Sequence, residues 1–233
     1  FFRPRSVFDP SPLFLAKGEG SKTPLCGKIA SCFVLVEMFK KIKLKNGLRI
    51  ILAPVDGAKS VTVLVLVQAR SKYETKKKNG ISHFLEHMFF KGTARRPTTA
   101  DIASDLDCVG GSYNAFTSEE YTGYWAKVDA PHLELALDVV SDIYINSKLD
   151  PAEIEKEKGV IVEEINMRQD VPMYYVGVLW SQLLYGDQPA GWDVAGTKET
   201  VKSLRRHDFI DYLKNHYLAK KTIVCVAGEK GKV

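Results

Sequence analysis

Two histidines four residues apart, His83 and His87, put the tightest constraint on how this chain can fold. On an α-helix, residues four apart project from one face, so the two imidazoles can grip one metal ion. Such an ion still lacks a third protein ligand, and a carboxylate from a separate helix would supply it while leaving one coordination position open. The segment from His83 to His87 alone is weak evidence for a metal site, because a histidine in a helix is more often a core or surface residue. The fold must therefore bring a distant acidic residue to this helix.

A long helical segment over residues 151–169 offers that carboxylate. Glu157, Ile161 and Glu164 lie at positions i, i+4 and i+7 and share one helix face, whereas Glu163 points elsewhere. Without the histidines, the acidic residues of this segment would be interpreted as a solvated surface. The apolar run around Ile161 favours burial instead, and a buried carboxylate needs a partner such as a metal ion.

The other segments mix strands and helices without the strict alternation of a parallel sheet. Asn46-Gly47 predicts a β-hairpin over residues 42–54, and the β-branched and Leu run of 61–67 predicts a strand buried on both faces. Residues 112–128 predict two strands, and 222–227 predict a final one. Helical spacing marks residues 80–90, 98–109, 131–146, 151–169, 173–185 and 207–217. We therefore predict an α+β fold with a mostly antiparallel β-sheet packed against several helices.

Residues 1–37 differ from the rest, because prolines and glycines interrupt any periodicity there. We expect an N-terminal extension over 1–37, without a catalytic role, and one folded domain over 38–233. The extension lacks the ordered features of a signal peptide. The apolar run over residues 29–39 is broken by Glu37 and falls short of the roughly 20 residues needed to cross a bilayer. No membrane span is expected.

Charge and cysteine content narrow the class of protein further. The 33 basic and 28 acidic residues give a formal charge of +5, and the basic residues are scattered. They are not interleaved with aromatic residues, so we expect no nucleic-acid partner. The four cysteines have neither the spacing of a zinc ribbon nor the density of a disulfide scaffold. We expect free thiols in a reducing compartment and hence a cytoplasmic location, with organellar or exported locations left open.

The segment from His83 to His87, continuing into Met88-Phe89-Phe90-Lys91-Gly92-Thr93, resembles the inverted zinc-site peptidases. This group contains pitrilysin, the insulin-degrading enzymes and the mitochondrial processing peptidases. The resemblance covers residues 38–230 and includes Gly110-Gly111, Asn114-Ala115-Phe116-Thr117, the Glu157–Glu164 helix, His216-Tyr217 and Val226-Ala227-Gly228. It implies that residues 38–233 are the N-terminal catalytic domain, a single half-unit of such a peptidase.

The resemblance also implies the roles of individual residues around one zinc ion per chain. His83, His87 and Glu164 match the zinc ligands, with Glu163 as the runner-up for the third position. Helical phase favours Glu164. Glu86 matches the catalytic base, which takes a proton from a water molecule whose pKa the zinc ion lowers toward about 7.

Two further matches concern residues around this centre. Glu157 falls on the family's assisting catalytic glutamate, seven residues before the third ligand. Asn114, Ala115 and Phe116 match the edge strand against which family substrates pair, a form of β-augmentation. An ordinary turn or edge position for Asn114 stays an open alternative.

The function implied by the resemblance is that of a zinc metalloendopeptidase acting on peptides or short, extended protein segments. The alternative is a catalytically silent family subunit used as a scaffold or substrate-binding partner. Silent members typically lack zinc ligands or the catalytic base. This chain has all four matching residues, His83, Glu86, His87 and Glu164. Family enzymes resemble two or four copies of such a domain closing around a chamber. We therefore expect a homodimer or a second half-subunit, because a lone half would leave its chamber face exposed.

Overall fold

A computed structural model describes residues 39–69, 71–118 and 120–233, and the expected extension over residues 1–37 lies outside them. The strands are β1 (Lys40–Lys43), β2 (Arg49–Val55), β3 (Ser60–Val67), β4 (Ser112–Thr117), β5 (Thr122–Asp129) and β6 (Thr222–Glu229). They form one sheet in the order β1-β2-β6-β3-β5-β4. The β2 and β6 strands pair in parallel, and the other neighbours are antiparallel. The predicted α+β fold with a mostly antiparallel sheet is confirmed.

Helices fill most of the remaining chain. They are α1 (Ile81–Phe89), α2 (Thr99–Asp107), α3 (Leu133–Asn146), α4 (Pro151–Asp170), α5 (Pro172–Tyr185), α6 (Lys198–Ser203) and α7 (Arg206–His216). The α6 helix was not predicted, because six residues are too few to show a clear period. Within the described residues, none of the helices has the length and apolar character to cross a membrane.

The predicted hairpin over residues 42–54 is confirmed as the antiparallel pair β1 and β2. Gly47 adopts a φ of +90° in the turn between them, a conformation that favours glycine. The side chain of Asn46 accepts a hydrogen bond from the Leu48 amide at 3.1 Å. The sequence signal for this turn was thus local and sufficient.

The β3 strand has two unequal faces, so the prediction that both are fully buried is wrong. Val61, Val63, Val65 and Val67 are at most 5% exposed, while the residues between them are half-buried. Successive side chains of a strand point to opposite faces. The valine face packs in one hydrophobic core with the apolar residues of α3.

The position of α1 places the candidate functional residues of several elements close together. This helix, which carries both histidines, contacts α4 and the edge strand β4. The acidic residues of α4 and the exposed edge of the sheet therefore meet beside His83 and His87.

Candidate metal centre and active site

The start of α1 is held by a buried carboxylate, Glu74, that the sequence analysis missed. Glu74 accepts hydrogen bonds from the backbone amides of Gly80 (2.7 Å) and Ser82 (2.9 Å) and from the Asn79 side chain (3.0 Å). These contacts satisfy amides that have no partner within the helix and place negative charge at its positive end. Burial raises the pKa of Glu74 above its ordinary value, although the hydrogen bonds act to lower it. No local sequence motif predicts this contact, because Glu74 lies outside the helix.

His83 and His87 lie side by side on the face of α1 that meets α4. Their ring centroids are 4.8 Å apart. The Nε2 atom of His83 lies 3.6 Å from Glu164 Oε2, and the Nε2 atom of His87 lies 3.4 Å from the same oxygen. The structure therefore brings together the three residues that the sequence analysis proposed as ligands.

These three side chains fit a zinc ion. One donor atom from each of His83, His87 and Glu164 lies within 4.8 Å of the others. Ligands of a tetrahedral zinc ion at about 2.0–2.2 Å are roughly 3.4 Å apart. The two distances from the imidazole nitrogens to Glu164 Oε2, 3.6 and 3.4 Å, are close to this value. Two imidazoles and one carboxylate are also a typical catalytic zinc set with an open fourth position. Glu163, the runner-up, is exposed and accepts a hydrogen bond from Asn166 at 3.3 Å.

Glu157 orients one of the two imidazoles. Its Oε1 lies 2.9 Å from His87 Nδ1, and its Oε2 lies 2.6 Å from Lys91 Nζ. Burial raises the pKa of Glu157, but the contacts with His87 and Lys91 outweigh it and hold the pKa below its ordinary value. An ionised Glu157 accepts a hydrogen bond from Nδ1–H, and in the neutral imidazole this leaves the Nε2 lone pair free on the side that faces Glu164. The contacts of Glu157 are those of a positioning residue.

The contacts with Glu157 and Glu164 also determine the pKa of His87. Burial lowers the pKa of His87, but hydrogen bonds to Glu157 and Glu164 raise it to about 9. The second imidazole is held differently, because His83 Nδ1 is buried without a hydrogen-bond partner in the described part of the chain. The α1 backbone and its packing therefore position His83.

Arg168 contacts the proposed carboxylate ligand from the other side. Its Nη2 lies 2.5 Å from Glu164 Oε1, so the two oxygens of Glu164 face a guanidinium and the imidazoles separately. Burial raises the pKa of Glu164, but the contacts with His83 and His87 outweigh it and hold the pKa well below its usual range. Arg168 was not among the residues predicted from the sequence, although its i+4 spacing from Glu164 was a usable signal.

Glu86, the proposed base, lies next to the histidines in a cavity of about 240 Å³. Thr117 Oγ1, at the end of β4, donates a hydrogen bond to Glu86 Oε2 at 2.6 Å. The cavity is lined by Glu86, His87, Phe90, Lys91, Thr99, Asn114 and Glu157. A half-buried carboxylate held at one oxygen beside the candidate metal ligands has the geometry of a general base. The role of Thr117 was missed because it depends on the approach of β4 to α1.

The edge strand β4 carries the three residues proposed to bind substrate. The Asn114 side chain accepts a hydrogen bond from the Ala115 amide at 2.8 Å. Ala115 is buried, and the Phe116 ring covers Gly123 of β5, where a Cβ atom would lie 2.3 Å from Phe116 Cζ. The strand is an edge, as β-augmentation requires. A peptide that pairs with the Ala115 amide must displace the Asn114 side chain.

Comparisons with known proteins agree with this geometry. Residues 49–198 match a family model described as insulinase, peptidase family M16. The uncharacterized zinc protease YmxG of Bacillus subtilis (strain 168) is 42% identical over 191 residues, which are 82% of this chain and 46% of that protein. The mitochondrial-processing peptidase subunit beta of Rattus norvegicus is 38% identical over 188 residues, 79% of this chain and 37% of the relative.

A solved structure shows the same fold. A protease from Helicobacter pylori superposes with a TM-score of 0.78 at 26% identity, covering 82% of this chain and 46% of that one. The fold and the two-histidine, one-glutamate cluster define a half-unit of the metallopeptidase type. The chain belongs to the insulinase family of peptidases, family M16. It spans less than half the length of the curated relatives described above.

Proposed function

We propose that this chain is a zinc-dependent endopeptidase half-unit that hydrolyses peptides or short, extended protein segments. The observation that carries the proposal is the convergence of His83, His87 and Glu164, with Glu86 beside them. The names of its relatives support peptidase chemistry in general. Residues 38–233 form the catalytic domain in this proposal.

Each residue has a defined part in the proposed mechanism. His83, His87 and Glu164 hold the metal, and a bound zinc ion supplies Lewis acidity and lowers the pKa of water toward about 7. Glu86 takes the proton of the attacking water and passes a proton to the departing amine. Thr117 holds one oxygen of Glu86 in place. The edge of β4 binds the substrate backbone.

Removal of the metal tests this function directly. The full chain is expected to cleave peptides from a mixed library, to lose cleavage when zinc is chelated, and to regain it with added zinc. Magnesium is expected not to restore it, because magnesium prefers oxygen ligands and octahedral geometry. Mass spectrometry of the products, with matched metal analysis, measures the effect. Cleavage that continues in metal-free protein would contradict the proposal.

The same experiment distinguishes the proposed enzyme from the alternative, a catalytically silent subunit. A silent subunit would bind extended peptides without zinc-dependent cleavage. The presence of both histidines, Glu86 and Glu164 favours the enzyme. Peptide binding by zinc-loaded chain with no cleavage product would assign the scaffold or substrate-capture role instead.

Replacing Glu157 by Ala is expected to weaken zinc binding or turnover by about 10–100-fold, the usual cost of losing such an outer partner of a metal ligand. The variant frees His87 Nδ1 and leaves Lys91 without its ion pair. Competition with a chromophoric chelator measures zinc affinity, and Glu155→Ala, at an exposed position of α4, is the control. Unchanged affinity and turnover in Glu157→Ala would remove the positioning role.

An apolar surface on α5 supports a partner for this half-unit. Met173, Trp180 and Leu183 are 84%, 59% and 77% exposed. Exposure of this degree rules out a place in the core. An apolar patch of this kind is typical of a protein–protein contact. We propose that a second copy of the chain or a second half-subunit covers it.

Charged substitutions on α5 test this partner. The full chain is expected to self-associate, and the double change Trp180→Asp with Leu183→Asp is expected to give a monomer, because burying two carboxylates in an apolar contact is costly. Size-exclusion chromatography with light scattering measures the mass. Ile145→Asp, at an exposed apolar position of α3, is the control. A monomeric wild type with full activity would contradict the proposal.

A further inference from the structure

The two histidines of the candidate metal centre are held in different ways. Glu157 Oε1 lies 2.9 Å from His87 Nδ1, whereas His83 Nδ1 is buried without a hydrogen-bond partner among the residues that the structure describes. The position of His83 Nε2, 3.6 Å from Glu164 Oε2, therefore depends on the backbone that carries the ring. His83 is the third residue of α1, so this backbone is the first turn of the helix.

One carboxylate holds the backbone of that first turn. Glu74 Oε2 accepts hydrogen bonds from the Gly80 amide at 2.7 Å and from the Asn79 side chain at 3.0 Å. Glu74 Oε1 accepts a hydrogen bond from the amide of Ser82, the residue before His83, at 2.9 Å. Glu74 is only 6% exposed, so water competes little for these bonds. The two oxygens together hold the short stretch of chain that leads into His83.

The loop after α5 restricts the same turn from the outside. Asn79, which donates to Glu74, also donates a hydrogen bond to the backbone carbonyl of Asp193 at 3.0 Å. Gly80 has a φ of +93°, and a Cβ atom there would lie 2.5 Å from the carbonyl oxygen of Ala195. Only glycine fits this contact. The backbone that Glu74 binds therefore has little freedom to move.

The rest of α1 is held by aromatic packing. The Phe84 ring meets Phe209 of α7 with centroids 4.9 Å apart, and the Phe89 ring stacks on Tyr124 of β5 at 4.8 Å. These contacts lie further along the helix than the residues that Glu74 holds. Loss of the Glu74 hydrogen bonds is therefore expected to leave α1 docked in the core and to shift its first turn.

We propose that Glu74 is a positioning residue for the metal centre, because it holds the first turn of α1 where the His83 imidazole reaches the same ion as Glu164. The inference rests on the proposed zinc peptidase function and adds a residue to it. The alternative role is that of an ordinary helix cap, which stabilises the fold and leaves the metal centre unchanged. A positioning residue changes the affinity and coordination of the metal. A cap changes only the free energy of unfolding.

Glu74→Gln tests the proposal with a small change of shape. The Gln side chain has one acceptor oxygen, so it can bind the Gly80 side or the Ser82 amide, and its NH2 group meets an N–H donor on the other side. Asp150→Ala is the matched control, because it also removes the cap of a helix that belongs to the site. Asp150 is the N-cap of α4 and accepts a hydrogen bond from a backbone amide at 2.8 Å, well before Glu164 in that helix.

Metal binding reports on positioning without any turnover. In Glu74→Gln the affinity for zinc, measured by competition with a chromophoric chelator, is expected to fall about tenfold, the lower end of the cost of losing an outer partner of a ligand. The visible spectrum of the cobalt-substituted protein, which depends on coordination geometry, is expected to change. In Asp150→Ala both are expected to stay as in wild type. Chemical denaturation of each metal-free variant measures the accompanying loss of stability.

Two results would overturn the inference. One is an unchanged zinc affinity and cobalt spectrum in folded Glu74→Gln, and the other is an equal loss of affinity in Asp150→Ala. If Glu74→Gln does not fold, Glu74→Asp decides, because it keeps the charge but is one methylene too short to hold both amides. A smaller loss of zinc affinity is expected there, and unchanged affinity would reject the positioning role.

Kinetics separate this inference from the proposed function. At saturating zinc, Glu74→Gln is expected to lower kcat about tenfold or more, because small misplacements of reacting groups are costly. The KM is expected to stay unchanged, because β4 binds the peptide in the proposed mechanism. If wild type binds zinc and cleaves no peptide, the peptidase function fails, and zinc affinity and the cobalt spectrum still test Glu74. If wild type cleaves and Glu74→Gln keeps its affinity, spectrum and kcat, the function stands and the inference fails.

Discussion

Peptide turnover is expected to fall by about 10²–10⁴-fold when Glu86 is replaced by Gln, the range that general acid–base catalysis contributes. Gln has nearly the same shape as Glu but cannot take a proton from water. Thr117 can still donate its hydrogen bond to the remaining side-chain oxygen, so the local geometry is expected to persist. Because Glu86 is not among the three proposed ligands, zinc content is expected to stay at one ion per chain.

The controls for Glu86→Gln distinguish catalysis from structure. Glu163→Gln makes the same chemical change at an exposed position near the centre and is expected to leave turnover unchanged. Steady-state kinetics with one peptide, together with metal analysis of each purified variant, gives both quantities. Full activity in Glu86→Gln would remove Glu86 from the mechanism. Loss of zinc together with turnover would show that Glu86 supports the metal instead.

Much of the fold was predictable because its signals are local. The Asn46-Gly47 turn, the valine run of β3 and the helical period of α1 and α4 each lie within one short segment. The order of strands in the sheet has no such signal, because β6 lies between β2 and β3 although it comes last in the chain. Pairing across such sequence distances depends on the whole fold.

The candidate ligands were predictable for a related reason. Helical phase separates Glu164 from Glu163 before any coordinates are known, and the structure places Glu164 at the histidines. Glu74, Lys91 and Thr117 were missed because each acts through a contact between separate elements. Residue type and spacing do not reveal contacts of this kind.

The apolar residues of α5 show a different limit. Their spacing predicts a helix over residues 173–185, but it does not show what the apolar residues of that helix contact. The structure leaves Met173, Trp180 and Leu183 exposed, and Tyr174 and Gly177 line a cavity of about 420 Å³ next to His83. Exposure alone does not separate the two groups, since Tyr174 is 58% exposed, and only the folded chain shows which residues line a cavity.

Replacing Glu164 by Gln is expected to weaken zinc binding by more than the 10–100-fold that loss of an outer partner costs, because a direct ligand is changed. The neutral amide is a poorer ligand than the carboxylate, and two imidazoles alone leave the site one protein ligand short. The change also takes the ion pair from Arg168. Turnover is expected to fall with zinc occupancy, so excess zinc is expected to recover part of it. Competition against a chromophoric chelator measures the affinity.

Glu163→Gln again supplies the matched control, since the two residues are adjacent on α4 and only Glu164 reaches the histidines. If Glu163→Gln lost zinc and Glu164→Gln kept it, the helical phase argument would be wrong and the third ligand would be Glu163. If neither change affected the affinity for zinc, His83 and His87 would have to bind the ion with a different third group. The comparison of Glu164→Gln with Glu86→Gln distinguishes a metal ligand from a catalytic base. Glu86→Gln is expected to keep zinc and lose turnover, and Glu164→Gln is expected to lose turnover because it loses zinc.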